Sequence, residues 1–205
     1  MAVELRVRRA FRRMVYPLRR LQWMLHGRPR IDPWNFGKRD RLREVAQRHG
    51  CRTFVETGTY FGESVVALRP YFERLITIEL APALAALARD TFRGDAAVVP
   101  LEGDSAEVLG GLESRIVGRA LVWLDGHFSG GFTAGTADVC PLEAELLSLG
   151  TYARRDHVIL IDDIRLLGTD PSYPTPERTR ELLLAINPAY TIVAEHDVMS
   201  ALPPA

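Results

Sequence analysis

From about residue 38 to the C-terminus, short β-rich apolar runs alternate with segments of helical periodicity. This alternation constrains the fold more than any other feature of the chain. Residues 38–49 have helical spacing and stop at Gly50. Residues 53–57 read as a first strand, followed by a glycine-bearing loop and a helix over 62–71. The series continues with strands at 75–80, 97–101, 120–124 and 157–161. The helices between and after them fall at 82–92, 106–112, 141–149 and 176–186. Strand and helix in strict turn predict an α/β fold, a mostly parallel sheet with helices on both faces. The ending differs. Residues 190–195 and 198–202 are both β-like with no helix between them, which predicts an antiparallel C-terminal hairpin.

Residues 1–37 fall outside this pattern and read as a basic amphipathic helix and linker ahead of one domain at 38–205. The first thirty residues carry nine arginines and a single acid, Glu4, whereas the whole chain is formally neutral, so the remainder is net acidic by the same amount. A neutral chain gives no reason to expect a nucleic-acid partner. Phe11, Met14, Val15, Leu18, Leu21 and Leu25 share one helical face, with Arg12, Arg13, Arg19 and Arg20 largely off it. Pro17 is expected to kink or split this helix. Three roles are open for it. It would contact an anionic membrane surface through its arginines with Trp23, Met24 and Leu25, cover the active site or form a homodimer contact, or extend into solvent. No apolar run reaches the ~20 residues needed to span a bilayer. Cys51 and Cys140 lack metal-type spacing and read as reduced thiols of a cytoplasmic protein, peripheral to the inner membrane face under the first role.

In open α/β sheets, ligands bind beyond the carboxyl ends of the strands where strand order reverses. The first such end reads Val55-Glu56-Thr57-Gly58-Thr59-Tyr60-Phe61-Gly62. Gly58 suits a tight turn with close backbone approach, and Gly62 a helix packed closely on the strand. A dinucleotide site would need glycine where Tyr60 stands, so that the pyrophosphate can reach the helix N-terminus. The phosphate-loop pattern with its lysine is absent too. A ligand without phosphates fits better.

Glu56-x-Gly58-x-x-x-Gly62 resembles the first motif of the class I methyltransferases. Glu79, ending the second strand, stands where that family places the acid that grips the ribose hydroxyls. Gly103-Asp104-Ser105 resembles the segment beside the adenine. The resemblance runs from about Thr53 to the C-terminus. It implies a Rossmann-like doubly wound sheet and S-adenosylmethionine as cofactor. The contacts it implies come from Glu56, Thr57, Gly58, Thr59, Tyr60, Gly62, Glu79, Asp104, Ser105 and Asp125.

The fourth strand runs into Asp125-Gly126-His127 and the fifth into Asp162-Asp163-Ile164-Arg165. In the expected order these strands are neighbours about 5 Å apart, so Asp125, Asp162 and Asp163 would converge at one rim. Close carboxylates need a cation or shifted pKa values, and all-oxygen ligation suits Mg²⁺ or a relative. Successive strand residues face opposite ways, so Asp162 and Asp163 share an ion only if the chain leaves the strand there. The alternative is a set of turn and helix-capping acids. The three positions resemble the ligands of metal-dependent O-methyltransferases, both catechol-type and macrocin-like sugar enzymes. Asp163, where catechol-type enzymes usually have Asn, is closer to the sugar-modifying branch.

That resemblance implies methyl transfer to a hydroxyl of a small or glycan-like molecule, with Asp125 at the reacting centre and the metal lowering the hydroxyl pKa. His127 is the candidate general base, or else a structural histidine. Residues 126–139, long for a loop and rich in glycine, read as a lid, and 168–174 as a second wall. Arg165 would bind an anionic substrate group or form a surface ion pair. Two other readings stay open: a metal-independent N- or O-methyltransferase, and a non-catalytic Rossmann-like binding or scaffold protein.

Overall fold

The computed structural model describes residues 2–27, 35–126 and 140–204. Helices α1 (Ala2–Leu25) and α2 (Phe36–Arg48) precede β1 (Thr53–Thr57). There follow α3 (Glu63–Leu68), β2 (Arg74–Glu79), α4 (Pro82–Thr91), β3 (Val98–Glu102), α5 (Ser105–Gly110) and β4 (Ala120–Leu124). The chain ends with α6 (Leu142–Leu149), β5 (Val158–Ile161), α7 (Pro176–Ile186), β6 (Thr191–Glu195) and β7 (Val198–Leu202). Local chemistry sets the boundaries. Pro176 opens α7 where its missing N–H costs nothing, and Thr175 Oγ1 accepts the Arg178 N–H as a cap. The helix expected over 62–71 is shorter: α3 stops at Leu68 and a 3₁₀ turn, Arg69–Tyr71, follows. Pro70 lacks the N–H that another α-helical turn would need.

The seven strands form one sheet in the order β3-β2-β1-β4-β5-β7-β6. Strands β1 to β5 are parallel, and β7 runs antiparallel to both β5 and β6. This is the doubly wound sheet with a C-terminal hairpin that the alternation predicts. Pro100 is tolerated because β3 lies at the sheet edge. Strand order reverses between β1 and β4, so the loops after these two strands face one another.

Side-chain alternation feeds two cores, one on each face. Val55, Ile76, Val122 and Ile159 pack with Leu109 of α5, Leu146 of α6 and Leu183 of α7. Their neighbours Phe54, Leu75, Leu121 and Leu160 pack with Leu42 of α2 and Val65 of α3. His157, at the foot of β5, is buried; its Nδ1 accepts the Ala120 N–H, and burial pushes its pKa down to about 4. It is a neutral structural histidine. Cys51 and Cys140 are free thiols, pushed by burial up to about 12 and 11.

Helix α1 runs unbroken through Pro17, so of the expected kink or split the split does not occur. Pro17 lies on the exposed side, where water can satisfy the carbonyl left unbonded. The helix docks by its other side: Tyr16 and Trp23 pack on Phe36, Arg20 pairs with Asp40, and Arg12 pairs with Glu63. Trp23 is therefore directed at the domain and is not available for a membrane contact. Among the described residues, no helix is long and apolar enough to cross a membrane.

Candidate functional site

The loop after β1 is built by close approach. Gly58 has φ +80°, and a Cβ there would lie 2.5 Å from the Asp125 carbonyl oxygen. Only glycine lets the β1 and β4 ends meet in this way. The Thr57 hydroxyl accepts the Asp125 N–H at 3.2 Å, which fixes the same junction. Gly62, φ +71°, abuts the Phe92 ring, where a Cβ would stand 2.9 Å away. Tyr60 takes a left-handed conformation, φ +47°, and leaves its ring half-exposed. Of the sequence-predicted cofactor residues, Thr57 and Thr59 turn their side chains inward; the Thr59 and Thr77 hydroxyls lie 2.6 Å apart. The Thr59 backbone is engaged as well, its N–H donating to the Ile78 carbonyl and its carbonyl accepting the Gly62 N–H.

Glu79 at the end of β2 is buried and fastens two turns. Oε2 accepts the Tyr60 N–H and Oε1 the Ala81 N–H, each at 2.9 Å. A carboxylate has about four acceptor sites, so each oxygen keeps capacity for a ligand hydroxyl. Glu56, 2% exposed, accepts from the Thr77 hydroxyl at 2.9 Å. Burial pushes its carboxyl up to about 7; Thr77, Ser64 and Arg39 oppose the shift, and Glu79 adds to it. Asp104 caps α5, its Oδ1 accepting the N–H groups of Ala106 and Glu107, with Ser105 as the first helical residue.

The aspartate rim differs from expectation. The chain leaves β5 at Ile161 and Asp163 adopts φ +52°, so Asp162 and Asp163 do turn toward one another. The third carboxylate that meets them is Asp197, not Asp125: among the described residues, one oxygen from each of Asp162, Asp163 and Asp197 lies within 4.8 Å of the others. Asp125 stays with the β1 loop, held by its contacts with Thr57 and Gly58. Asp197 arrives through the β6–β7 hairpin, whose two central residues, His196 and Asp197, both have positive φ, 52° and 64°. That is the two-residue turn whose twist matches paired strands.

A cation already lies among these carboxylates. Lys38 of α2, the only lysine in the chain, donates to Asp162 Oδ1 and to Asp163 Oδ1 at 3.3 Å, and lies 4.0 Å from Asp197. Arg165 pairs with Asp163 and Asp197, which answers the question left by the sequence in favour of an ion pair. Burial raises the Asp162 pKa against the pull of Lys38. Burial would lower the Lys38 pKa, but Asp162 and Asp163 outweigh it and hold the ammonium above its usual range.

Sequence reasoning missed Lys38, Asp197 and Glu145. Glu145 is 1% exposed on α6, and its Oε1 lies 3.1 Å from where a Cβ on Gly126 would stand. One signal was present: Glu145 follows Leu142 by three and precedes Leu149 by four, an acid on the apolar face of its helix. His127 and all but the first residue of the 126–139 lid lie outside the described residues.

No family model matches the sequence, and no curated protein does. Solved structures do. An O-methyltransferase from Bacillus cereus in complex with SAH aligns with a TM-score of 0.57 at 18% identity, over 84% of this chain and 82% of that one. The O-methyltransferase TomG from Streptomyces achromogenes, in complex with SAM, aligns with a TM-score of 0.57 at 19% identity, over 82% and 80%. The N-methyltransferase NodS from Bradyrhizobium japonicum, with SAH, aligns with a TM-score of 0.53 at 13% identity, over 83% and 87%. At these identities the likeness is one of fold, the Rossmann-like methyltransferase fold that the motif resemblance implies.

Proposed function

We propose that this chain is an S-adenosylmethionine-dependent methyltransferase that methylates a hydroxyl of a small or glycan-like molecule. The observation that carries this reading is the junction at the switch point, where Gly58 presses on the Asp125 carbonyl between two buried strand-end carboxylates, Glu56 and Glu79. Glu79 accepts from the ribose diol while keeping its two backbone bonds. Glu56 sits below the loop as the counter-charge for the ammonium of the methionine tail. The half-exposed Tyr60 and the Asp104–Ser105 turn flank the nucleoside. Neighbours of the same fold carry SAM or SAH and include both O- and N-methyltransferases. The oxygen acceptor therefore rests on the aspartate rim.

A hydroxyl is a weak nucleophile near pH 7, and a cation beside it lowers its pKa and holds it in line. Lys38, held by Asp162 and Asp163, would supply that cation. The oxygens of Asp162, Asp163 and Asp197 also suit a hard divalent ion, which would act there as a Lewis acid on the acceptor oxygen. Such an ion and the Lys38 ammonium would compete for one position, so metal assistance is the second reading. His127 is the candidate general base, with a structural histidine as the alternative.

Calorimetry with S-adenosylhomocysteine tests the main reading. The wild type should bind, and Glu79→Ala should weaken binding by tenfold or more through loss of two charge-assisted bonds, each worth about 1.5–3 kcal/mol. Absence of binding to the folded wild type at millimolar ligand would refute it. Turnover that survives EDTA would favour Lys38 over the metal.

A further inference from the structure

Helix α1 carries an apolar face that none of the described residues covers. Val7, Phe11, Met14, Leu18, Leu21 and Leu25 recur at alternating spacings of four and three, and each is 51–77% exposed. At about 100° per residue, this stripe lies opposite the side formed by Arg12, Tyr16, Arg20 and Trp23, which grips the domain. Over 18 residues it runs for about 27 Å. Contiguous apolar surface of that extent marks an interaction site.

We infer that this face seats the protein on an anionic lipid bilayer. The spacing alone would also suit the seam of a helix pair with a second copy. Charge separates the two partners. Helix α1 holds seven arginines and one acid, Glu4. Among the described residues, Arg12 pairs with Glu63 and Arg20 with Asp40 of the domain. None of the seven falls within the stripe; the exposed Arg8 and Arg19 run along one edge of it. A second α1 laid against the first would bring seven more arginines and only one more acid, and like charges so placed repel. A bilayer with anionic headgroups supplies the missing negative charge at the helix edges and an acyl boundary for Phe11, Leu18 and Leu21. Because Arg12 pairs with Glu63 at the start of α3 and stacks over Phe61 at 5.8 Å, the helix would hold the β1 loop close to the membrane.

Flotation of the full chain with phosphatidylcholine vesicles, with and without phosphatidylglycerol, tests this at low and high salt. The wild type should float with the anionic vesicles at low salt and stay below with the neutral ones. Leu18→Glu combined with Leu21→Glu should abolish flotation. Arg8→Gln combined with Arg19→Gln should weaken it about fivefold per arginine. Both variants alter outward positions, so each should keep the wild-type unfolding temperature. No flotation of the wild type with anionic vesicles, or equal flotation with neutral ones, would overturn the inference. A dimer on size-exclusion chromatography that Leu18→Glu dissociates, without vesicle binding, would assign the face to a second copy and overturn it equally.

Discussion

At the scale of single residues, two kinds of necessity meet in the β1 loop. Gly58 is required by a backbone neighbour that cannot move aside, the Asp125 carbonyl, whereas Gly62 faces the edge of the Phe92 ring. Glu56 is held by burial in a state with a measurable signature. Its folded pKa of about 7 stands above its ordinary 4.5. The folded protein therefore keeps this proton longer than the unfolded chain does. Its contribution to stability is complete below pH 4.5 and is lost as pH rises through 7, a span worth on the order of 3 kcal/mol. Thermal unfolding from pH 4.5 to 8 should show this decline in the wild type and a flatter profile in Glu56→Gln. Parallel profiles would remove Glu56 as its source. If the same carboxylate meets the ammonium of the cofactor, S-adenosylhomocysteine should bind more tightly as pH rises from 6 to 8, and the Gln variant should lose that trend.

Elements matter here for what they deliver to the carboxyl edge of the sheet. Helix α2, which precedes β1 in sequence, brings Lys38 to the end of β5, four strands and more than a hundred residues later. The β6–β7 turn brings Asp197 from the opposite direction. The hairpin itself is legible in the sequence, since two β runs separated by His196-Asp197 leave room for little else. That Asp197 would join the rim is not, because it depends on β7 pairing with β5 rather than lying at the edge. Lys38→Ala should therefore do more than remove a surface charge. It removes the ammonium that pairs with Asp162 and Asp163, and should cost about 2 kcal/mol, less than a fully buried pair because the lysine is partly solvated. Millimolar Mg²⁺ should restore the unfolding temperature of this variant and leave the wild type unchanged. Failure of Mg²⁺ to stabilise the variant would show that these oxygens do not take a divalent ion.

Across the whole molecule, the last strand in sequence is an interior strand of the sheet. Val198, Met199 and Ala201 are 1%, 6% and 0% exposed, and β7 alone joins β5 to β6. Truncation after Glu195 would strip two partners of their ladder at once. The shortened chain should lose cooperative unfolding by circular dichroism; a shortened protein with the wild-type transition would show that β7 is dispensable. Several properties were readable from the sequence alone: the number of strands, their mostly parallel run, the terminal hairpin, the glycine-bearing turn after the first strand, and the amphipathic N-terminal helix. All of these follow from local periodicity and turn chemistry, which a linear chain displays directly. The tertiary structure decided which groups meet: Asp197 in place of Asp125, Lys38 among the aspartates, Glu145 behind Gly126, and Trp23 against Phe36. Those pairings join residues distant in sequence, and only the packing of the sheet and its helices sets the distances on which their electrostatics depend.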